Sequence, residues 1–319
     1  MAKRMVERKG RLFYGAVLAL AMAAMILNAT VAAAQKTFFS PDEAVKGLVE
    51  AVRGGNDDGL LDILGPEAAD FISSVDLVVD RNGRERFLKA YDEKNSIERQ
   101  NDVRAVLHVG LQDYALPIPI VRQGESWSFD AAAGREEILN RRIGRNELAT
   151  VEVLHAYLDA QREYACMHRK PEEYMGFFAR RLISSPGKKD GLYWPAGEGE
   201  TESPFGPLIA RAGEHGYTGK LNSDDAEPFQ GYFFKILTSQ GEHAAGGAYD
   251  YVVDDKMILG IGLVAYPARY GSTGIMTFII NQKGVVYQKD QGGKSEEAAV
   301  SMTSFDPDET WQVYEEQAD

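Results

Sequence analysis

The chain has a single cysteine, Cys166, in 319 residues, which excludes an intramolecular disulfide. Stability has to come from buried apolar surface, and a lone thiol in an apolar helix reads as a small buried hydrophobe. Catalytic signatures are missing too: there is no His-Glu-x-x-His, no Gly-x-Ser-x-Gly and no Walker loop. Cys166 and His168 supply too few ligands for a four-coordinate zinc site. The acidic groups Asp224-Asp225-Glu227, Asp254-Asp255 and Asp306-Pro307-Asp308-Glu309 lack the spacing of a calcium loop and read as solvated turns. No metal and no cofactor is therefore expected. Positive charge is in short supply, with 35 Lys and Arg against 48 Asp and Glu and a formal net charge of -13. Residues 1–34 hold five of those basic residues and one acid, Glu7, so the remainder stands near -17. Such a surface does not displace counterions from phosphate, and no nucleic-acid partner is expected.

What is present begins with a basic front (Lys3, Arg4, Arg8, Lys9, Arg11), an apolar run and a small-residue end at Ala32-Ala33-Ala34. This is the layout of a secretory signal peptide, residues 1–34, with cleavage near Ala34. A retained anchor is the alternative, because Leu12 to Val31 approaches the roughly 20 apolar residues that span a bilayer. The expected location is periplasmic or secreted, with no membrane span in the mature chain. Its composition, 44% hydrophobic and 10% aromatic, is that of a globular protein.

The mature chain reads as α+β in two parts, 35–143 and 144–319. Ser40-Pro41-Asp42-Glu43 opens a helix that Gly54-Gly55 ends; a second runs from Asp58 to Leu64, Pro66 starts a third, and Arg81 to Lys94 suggests a fourth. Strands follow at Val103–Val109, Pro117–Val121 and Ser126–Phe129, with a turn at Gln123-Gly124-Glu125. Helices followed by a curled sheet ending in Gly-x-x-Trp resemble the cones of nuclear-transport-factor-2-like or cystatin-like domains, over residues 36–142. Such cones hold ligands or acid-base residues in their mouths, which points to Asp70, Asp92, His108 and Asp113.

A short helix from Gly134 is expected to end at Gly144, and a longer one, capped by Asn146, to run to Met167. His155 and Asp159 stand four apart on it, the spacing of a carboxylate that orients an imidazole and equally of a surface pair. Glu172 to Leu182 reads as helical. In the loop that follows, Tyr193, Trp194 and Phe205 pin a long connection to the core or, on the other reading, display a recognition surface. Strands are expected at 231–237, 249–253, 257–265, 275–280 and 285–287, with Asp254-Asp255 as a hairpin turn and Tyr266-Pro267, Gly271 and Gly274 serving turn geometry.

Four segments carry a resemblance: EEILNRRIGRNELATVEVLHAYLDAQREYA (136–165), SPGKKDGLYWP (185–195), GYFFKILTSQG (231–241) and LVAYPARYGSTGIMTFIINQKGVVYQKD (263–290). On these the chain is identified as a member of the exported bacterial family catalogued as domain of unknown function 2950, which brings no established activity. The order of Asn-Glu, a long helix with Ala-Gln and Tyr, a Gly-Tyr-x-Phe strand, Ala-x-Pro, Gly-x-x-Gly and Gly-Val-Val-Tyr is also similar to the heads of type IV pilins and pseudopilins. That implies a helix packed on an antiparallel sheet. The Gly-Phe-x-x-x-Glu processing signature is absent, which speaks against incorporation into a filament.

Three functional expectations follow. The first is a non-enzymatic binding or structural protein of the cell envelope, with an envelope protein or a filament as partner. The second is a hydrolase or small-ligand-binding protein with its pocket in the N-terminal cone. The third is a ligand or partner surface built on Tyr193, Trp194, Tyr266 and Tyr270.

Overall fold

The computed structural model describes residues 35–171, 176–197, 199–209 and 227–315, so the signal-like segment and Asp224-Asp225 lie outside the described residues. Four helices open it: α1 (Pro41–Arg53), α2 (Asp57–Leu64), α3 (Ala69–Ile72) and α4 (Leu77–Glu93). Their starts are fixed locally. Ser40 caps α1 by accepting the Glu43 amide at 3.2 Å, with Pro41 in the first turn. Asn56 caps α2, and Asp76 caps α4 by accepting the Val78 and Val79 amides at 3.1 and 3.0 Å. α4 begins a turn before Arg81 because that cap overrides the weak helix preference of the β-branched pair Val78-Val79.

An antiparallel sheet follows, β1 (Asn95–Asn101), β2 (Arg104–Val109), β3 (Tyr114–Ala115), β4 (Ile120–Gln123) and β5 (Ser126–Phe129), in the order β1-β2-β4-β5 with β3 also on β2. β1 carries no alternation for a sequence pattern to detect. It is polar and almost wholly exposed, and as an edge strand it needs pairing on one side only. The helices close over this sheet around Leu48, Ile63, Phe71, Leu107, Ile120 and Phe129.

The next helix, α5 (Ala131–Met167), is continuous for 37 residues, about 55 Å at ~1.5 Å per residue. The helix end at Gly144 and the fresh start at Asn146 are not there, and the expected division at 143/144 falls inside α5. A mid-helix glycine costs only about 1 kcal/mol relative to alanine, too little to break a helix held at both ends by packing. Leu139 and Ile143 bury in the N-terminal core, and Val151, Leu154, Tyr157 and Leu158 in a second one. The exposed Cys166 near its end departs from the buried thiol expected.

Residues 176–182 are not helical, against expectation; 172–175 lie outside the described residues. The reason is Gln161, buried on α5. Its carboxamide takes the Ala179 amide and donates to the Ala179 carbonyl, both at 2.8 Å, and this pairing holds the segment extended. Trp194 and Phe205 are buried and pin the loop to the core.

The C-terminal strands are β6 (Tyr232–Leu237), β7 (Ser239–Gln240), β8 (Tyr249–Asp250), β9 (Val252–Val253), β10 (Lys256–Met257), β11 (Gly262–Pro267), β12 (Met276–Asn281) and β13 (Tyr287–Asp290); α6 (Ser295–Ser301), β14 (Ser304–Phe305) and β15 (Gln312–Val313) follow. Five of them form an antiparallel sheet in the order β15-β13-β12-β11-β6. Its faces alternate: Leu263, Ala265, Phe278 and Ile280 join the core with α5, while Val264 and Ile279 pack with Ala299 of α6. The Tyr157 hydroxyl donates to the Gly262 carbonyl at 3.1 Å, fastening α5 to this sheet. Asp254 and Asp255, at φ 48° and 62°, make the expected tight turn between β9 and β10. The fold class is α+β.

Where α5 passes from one core to the other, its polar residues fasten the two together. Asn146 Nδ2 donates to the Thr273 carbonyl at 2.9 Å. Glu147 Oε1 accepts from the Ile275 and Met276 amides at 2.9 and 3.0 Å and from the Tyr232 hydroxyl at 3.3 Å. The Gly231 amide donates to Asp76 Oδ2 at 2.9 Å, and Ser272 Oγ to the Asp70 carbonyl at 3.2 Å. Gly271 has the positive φ, 73°, that a turn wants. Gly274 serves another end: a β-carbon there would lie 2.0 Å from the Tyr232 hydroxyl, so the glycine permits close approach.

Candidate functional site: a pocket in the N-terminal half

The N-terminal helices and sheet do not fill their interior. They leave a cavity of about 250 Å³. Its apolar wall comes from Leu48 and Val52 of α1, Leu60 and Leu64 of α2, Phe71 and Ile72 of α3, Phe87 of α4, Leu116, Ile118 and Ile138 of α5. The rest of the lining is ionisable. Asp80, Gly83, Arg84 and Phe87 follow one another at helical spacing on α4, and Ile138, Arg142 and Arg145 do the same on α5.

Asp80 is buried, and its two oxygens are treated unequally. Oδ2 accepts the Ser74 amide at 2.6 Å; Oδ1 accepts no hydrogen bond, the nearest cation being Arg142 Nη2 at 3.7 Å. Burial lifts the pKa of Asp80 above the ordinary 3.8, against the pull of the Ser74 amide and of Arg142 and Arg84. Arg142 donates to the carbonyls of Asp70 and Phe71 at 3.2 and 2.6 Å; burial brings its pKa below the ordinary guanidinium range, with Asp80 opposing. Arg84 pairs with Asp57 at 2.5 Å and donates to the Ile72 carbonyl at 3.1 Å. Arg86 and Arg145 are exposed at the mouth, beside Tyr114. Partial burial lowers the pKa of Arg145, as does the charge of Arg86.

An adjoining groove of about 390 Å³ shares Val52, Asp80 and Arg84 with the cavity. Its charges compensate one another through Arg53 with Asp92, Arg81 with Glu85 at 4.0 Å and Arg84 with Asp57. The cavity, open at one side, is thus the place where ionisable groups meet an apolar wall with polar capacity left over.

None of the residues singled out from the sequence lines this cavity. Asp70 pairs with Arg135, and Asp92 with Arg53. His108 sits between Glu98 at 3.1 Å and Asp113 at 3.3 Å, and the Lys94 ammonium, 2.8 Å from Asp113, holds that carboxyl below its usual range. His155 and Asp159 are exposed on α5, and Asp159 forms its ion pair with Arg162 at 2.9 Å. The four rings of the supposed surface are not brought together. Tyr193 and Trp194 pack with the core around α5, with Trp194 Nε1 donating to the Thr201 carbonyl at 3.2 Å. Tyr266 packs by the α6 core and against Phe233, and the exposed Tyr270 donates to Asp290 at 3.2 Å. Among the described residues no group of His, Cys, Asp and Glu is arranged to hold a metal ion, and no helix is long and apolar enough to cross a membrane.

The pocket residues Asp80, Arg84, Arg142 and Arg145 were missed by reading the sequence for catalytic spacings. Their one signal was charge standing on the apolar face of each helix, in line with Phe87 on α4 and with Ile138 on α5.

The model of the protein-of-unknown-function family DUF2950 matches residues 35–314. The chain belongs to that family. No curated protein and no solved structure matches it. The family's span in this chain takes in the cavity, the whole of α5 and the junction at Glu147.

One further pair has a pH-dependent consequence. His243 Nδ1 lies 3.1 Å from both oxygens of Asp306, which lifts the imidazole above 6.5 through the hydrogen bond first and the charge second. A raised folded-state pKa stabilises the fold below about 6.5, and the contribution is lost as the pH rises through the folded value. The Asp306→Asn variant should weaken this pH dependence, leaving only the smaller pull of Asp308 and Glu242, which an NMR titration of His243 with melting curves across neutral pH will read.

Proposed function

We propose that the chain is an exported, non-enzymatic binding protein of the bacterial envelope that holds a small, largely apolar ligand in its N-terminal cavity. The signal-like N-terminus supports export. The observation that carries the binding reading is the buried Asp80 Oδ1, left without a hydrogen bond in a largely apolar pocket. A buried acceptor without a donor costs roughly 1–3 kcal/mol, and a ligand hydroxyl or amine would relieve it. The lining offers one carboxylate, one phenol and four guanidiniums. Guanidiniums stay protonated and exchange no protons at physiological pH, so the set suits holding a ligand better than acid-base turnover.

Gly83 gives a clean test. It lines the cavity, and an added β-carbon there would meet only the flexible end of Arg86, at 3.9 Å. Gly83→Leu should therefore grow into the empty space and improve the helix, leaving the melting temperature unchanged or higher. Binding of the neutral fluorescent probe N-phenyl-1-naphthylamine should weaken about tenfold or more, a difference of about 1.4 kcal/mol. Equal probe binding by the two proteins would refute the pocket as the site.

A further inference from the structure

We infer that the ligand of this cavity is an amphipathic acid, a single apolar chain or ring seated among the aliphatic walls with its carboxylate at the mouth between Arg86 and Arg145. The inference rests on the pocket reading and adds to it the sign and position of the ligand's charge.

Charge pairing carries it. Around the cavity the other arginines have found acceptors. Arg84 has Asp57, Arg135 has Asp70, Arg141 has Glu137, and Arg142 has two backbone carbonyls with Asp80 close by. Arg86 and Arg145 both line the mouth, and among the described residues neither makes an ion pair with a carboxylate. The mature chain carries a net charge near -17, so two neighbouring cations left uncompensated run against the composition. Like charges brought together at the rim of an apolar cavity repel each other and are relieved by an anion, most of all one with two oxygens that a guanidinium can bind in parallel.

The charge also fixes the orientation. Cations at the rim and aliphatic side chains within place the head outside and the tail inside. Size sets the tail: an apolar cavity of ~150 Å³ takes up benzene, so one of about 250 Å³ takes about ten carbons in proportion. That is one short chain or a bicyclic ring, which excludes a lipid with two acyl chains. An oxygen or nitrogen donor along the chain would in addition reach Asp80 Oδ1.

The test is displacement of bound N-phenyl-1-naphthylamine from the purified chain by decanoate, decan-1-ol and decyltrimethylammonium, near neutral pH and at low salt. Decanoate should displace the probe at about one-tenth of the alcohol concentration or less, with the ammonium weakest, the margin expected for a charge-assisted contact. In the Arg86→Gln/Arg145→Gln double variant decanoate should lose that advantage while decan-1-ol is unaffected, and a melting curve will show that the variant is folded. Equal potency of acid and alcohol, or an acid advantage that survives the double variant, overturns the charge inference and leaves the pocket reading standing. Failure of the wild-type chain to take up the probe, or probe binding unchanged in Gly83→Leu, overturns both.

Discussion

Replacing Arg142 with alanine is expected to destabilise the fold by about 3–5 kcal/mol, the cost of removing one partner from a buried ion pair. The guanidinium donates to the carbonyls of Asp70 and Phe71 and is the nearest cation to Asp80 Oδ1, so its removal takes the Arg142 donor from both carbonyls, leaving Asp70 with Ser272 Oγ, and takes the compensating charge from the buried carboxylate. Most of the penalty should come from the carboxylate. The Arg142→Ala/Asp80→Asn double variant is accordingly expected to regain about 2 kcal/mol, since a neutral amide costs less to bury than an ionised acid. The pH dependence follows from the raised pKa of Asp80. A carboxyl whose folded-state pKa lies above its unfolded value stabilises the fold fully below about 3.8 and loses that contribution as the pH rises through the folded value. Loss of Arg142 raises the folded value further, so the variant's deficit should be greatest near neutral pH and shrink on acidification. Urea denaturation of both variants at two pH values will measure this; a deficit that neither Asp80→Asn nor acid reduces would mean that Asp80 is not the group left stranded.

The second large effect is expected at Glu147. One oxygen of this side chain serves the Ile275 and Met276 amides and the Tyr232 hydroxyl, at the point where α5 meets the first residues of β12. Alanine there orphans two backbone donors next to a buried tyrosine. At roughly 1–3 kcal/mol per unsatisfied group the loss should reach about 2–5 kcal/mol. Glutamine keeps an oxygen in the same place and should cost about 1–2 kcal/mol, the difference between a charged and a neutral acceptor. Hydrogen exchange adds a local reading: the Ile275 and Met276 amides should lose protection in Glu147→Ala before the rest of the sheet does. Uniform loss of protection, or equal effects of alanine and glutamine, would tell against this role.

The same two helix segments show how far the sequence could be read. Ser40-Pro41 announces the first helix and Gly54-Gly55 its end because capping chemistry is local, completed within three or four residues. The alternating runs of β11 and β12 announce a sheet because a buried face imposes a period of two. Asn146-Glu147 imitates the start of a helix for the same chemical reason, that these side chains satisfy orphan backbone groups. The groups they serve, a carbonyl for Asn146 and two amides for Glu147, however, arrive from more than a hundred residues along the chain, and spacing along the sequence carries no trace of them. The cavity was hidden likewise. Asp80 and Arg84 look like ordinary surface charge on α4 until α5 lays Arg142 across from them, and β1 and residues 176–182 take their form from a neighbouring strand and from Gln161.

The unbroken passage of α5 through Gly144 governs how this protein can be taken apart. A protease or a recombination event acting at that glycine would sever the wall of the cavity, with the buried Arg142 on one fragment and Arg145 on the other. It would also divide the Asp76–Gly231 and Asp70–Ser272 hydrogen bonds between the fragments and put Asn146 and Glu147 on a fraying new helix end. Neither fragment alone would hold the complete cavity lining or the bonds that join the two cores.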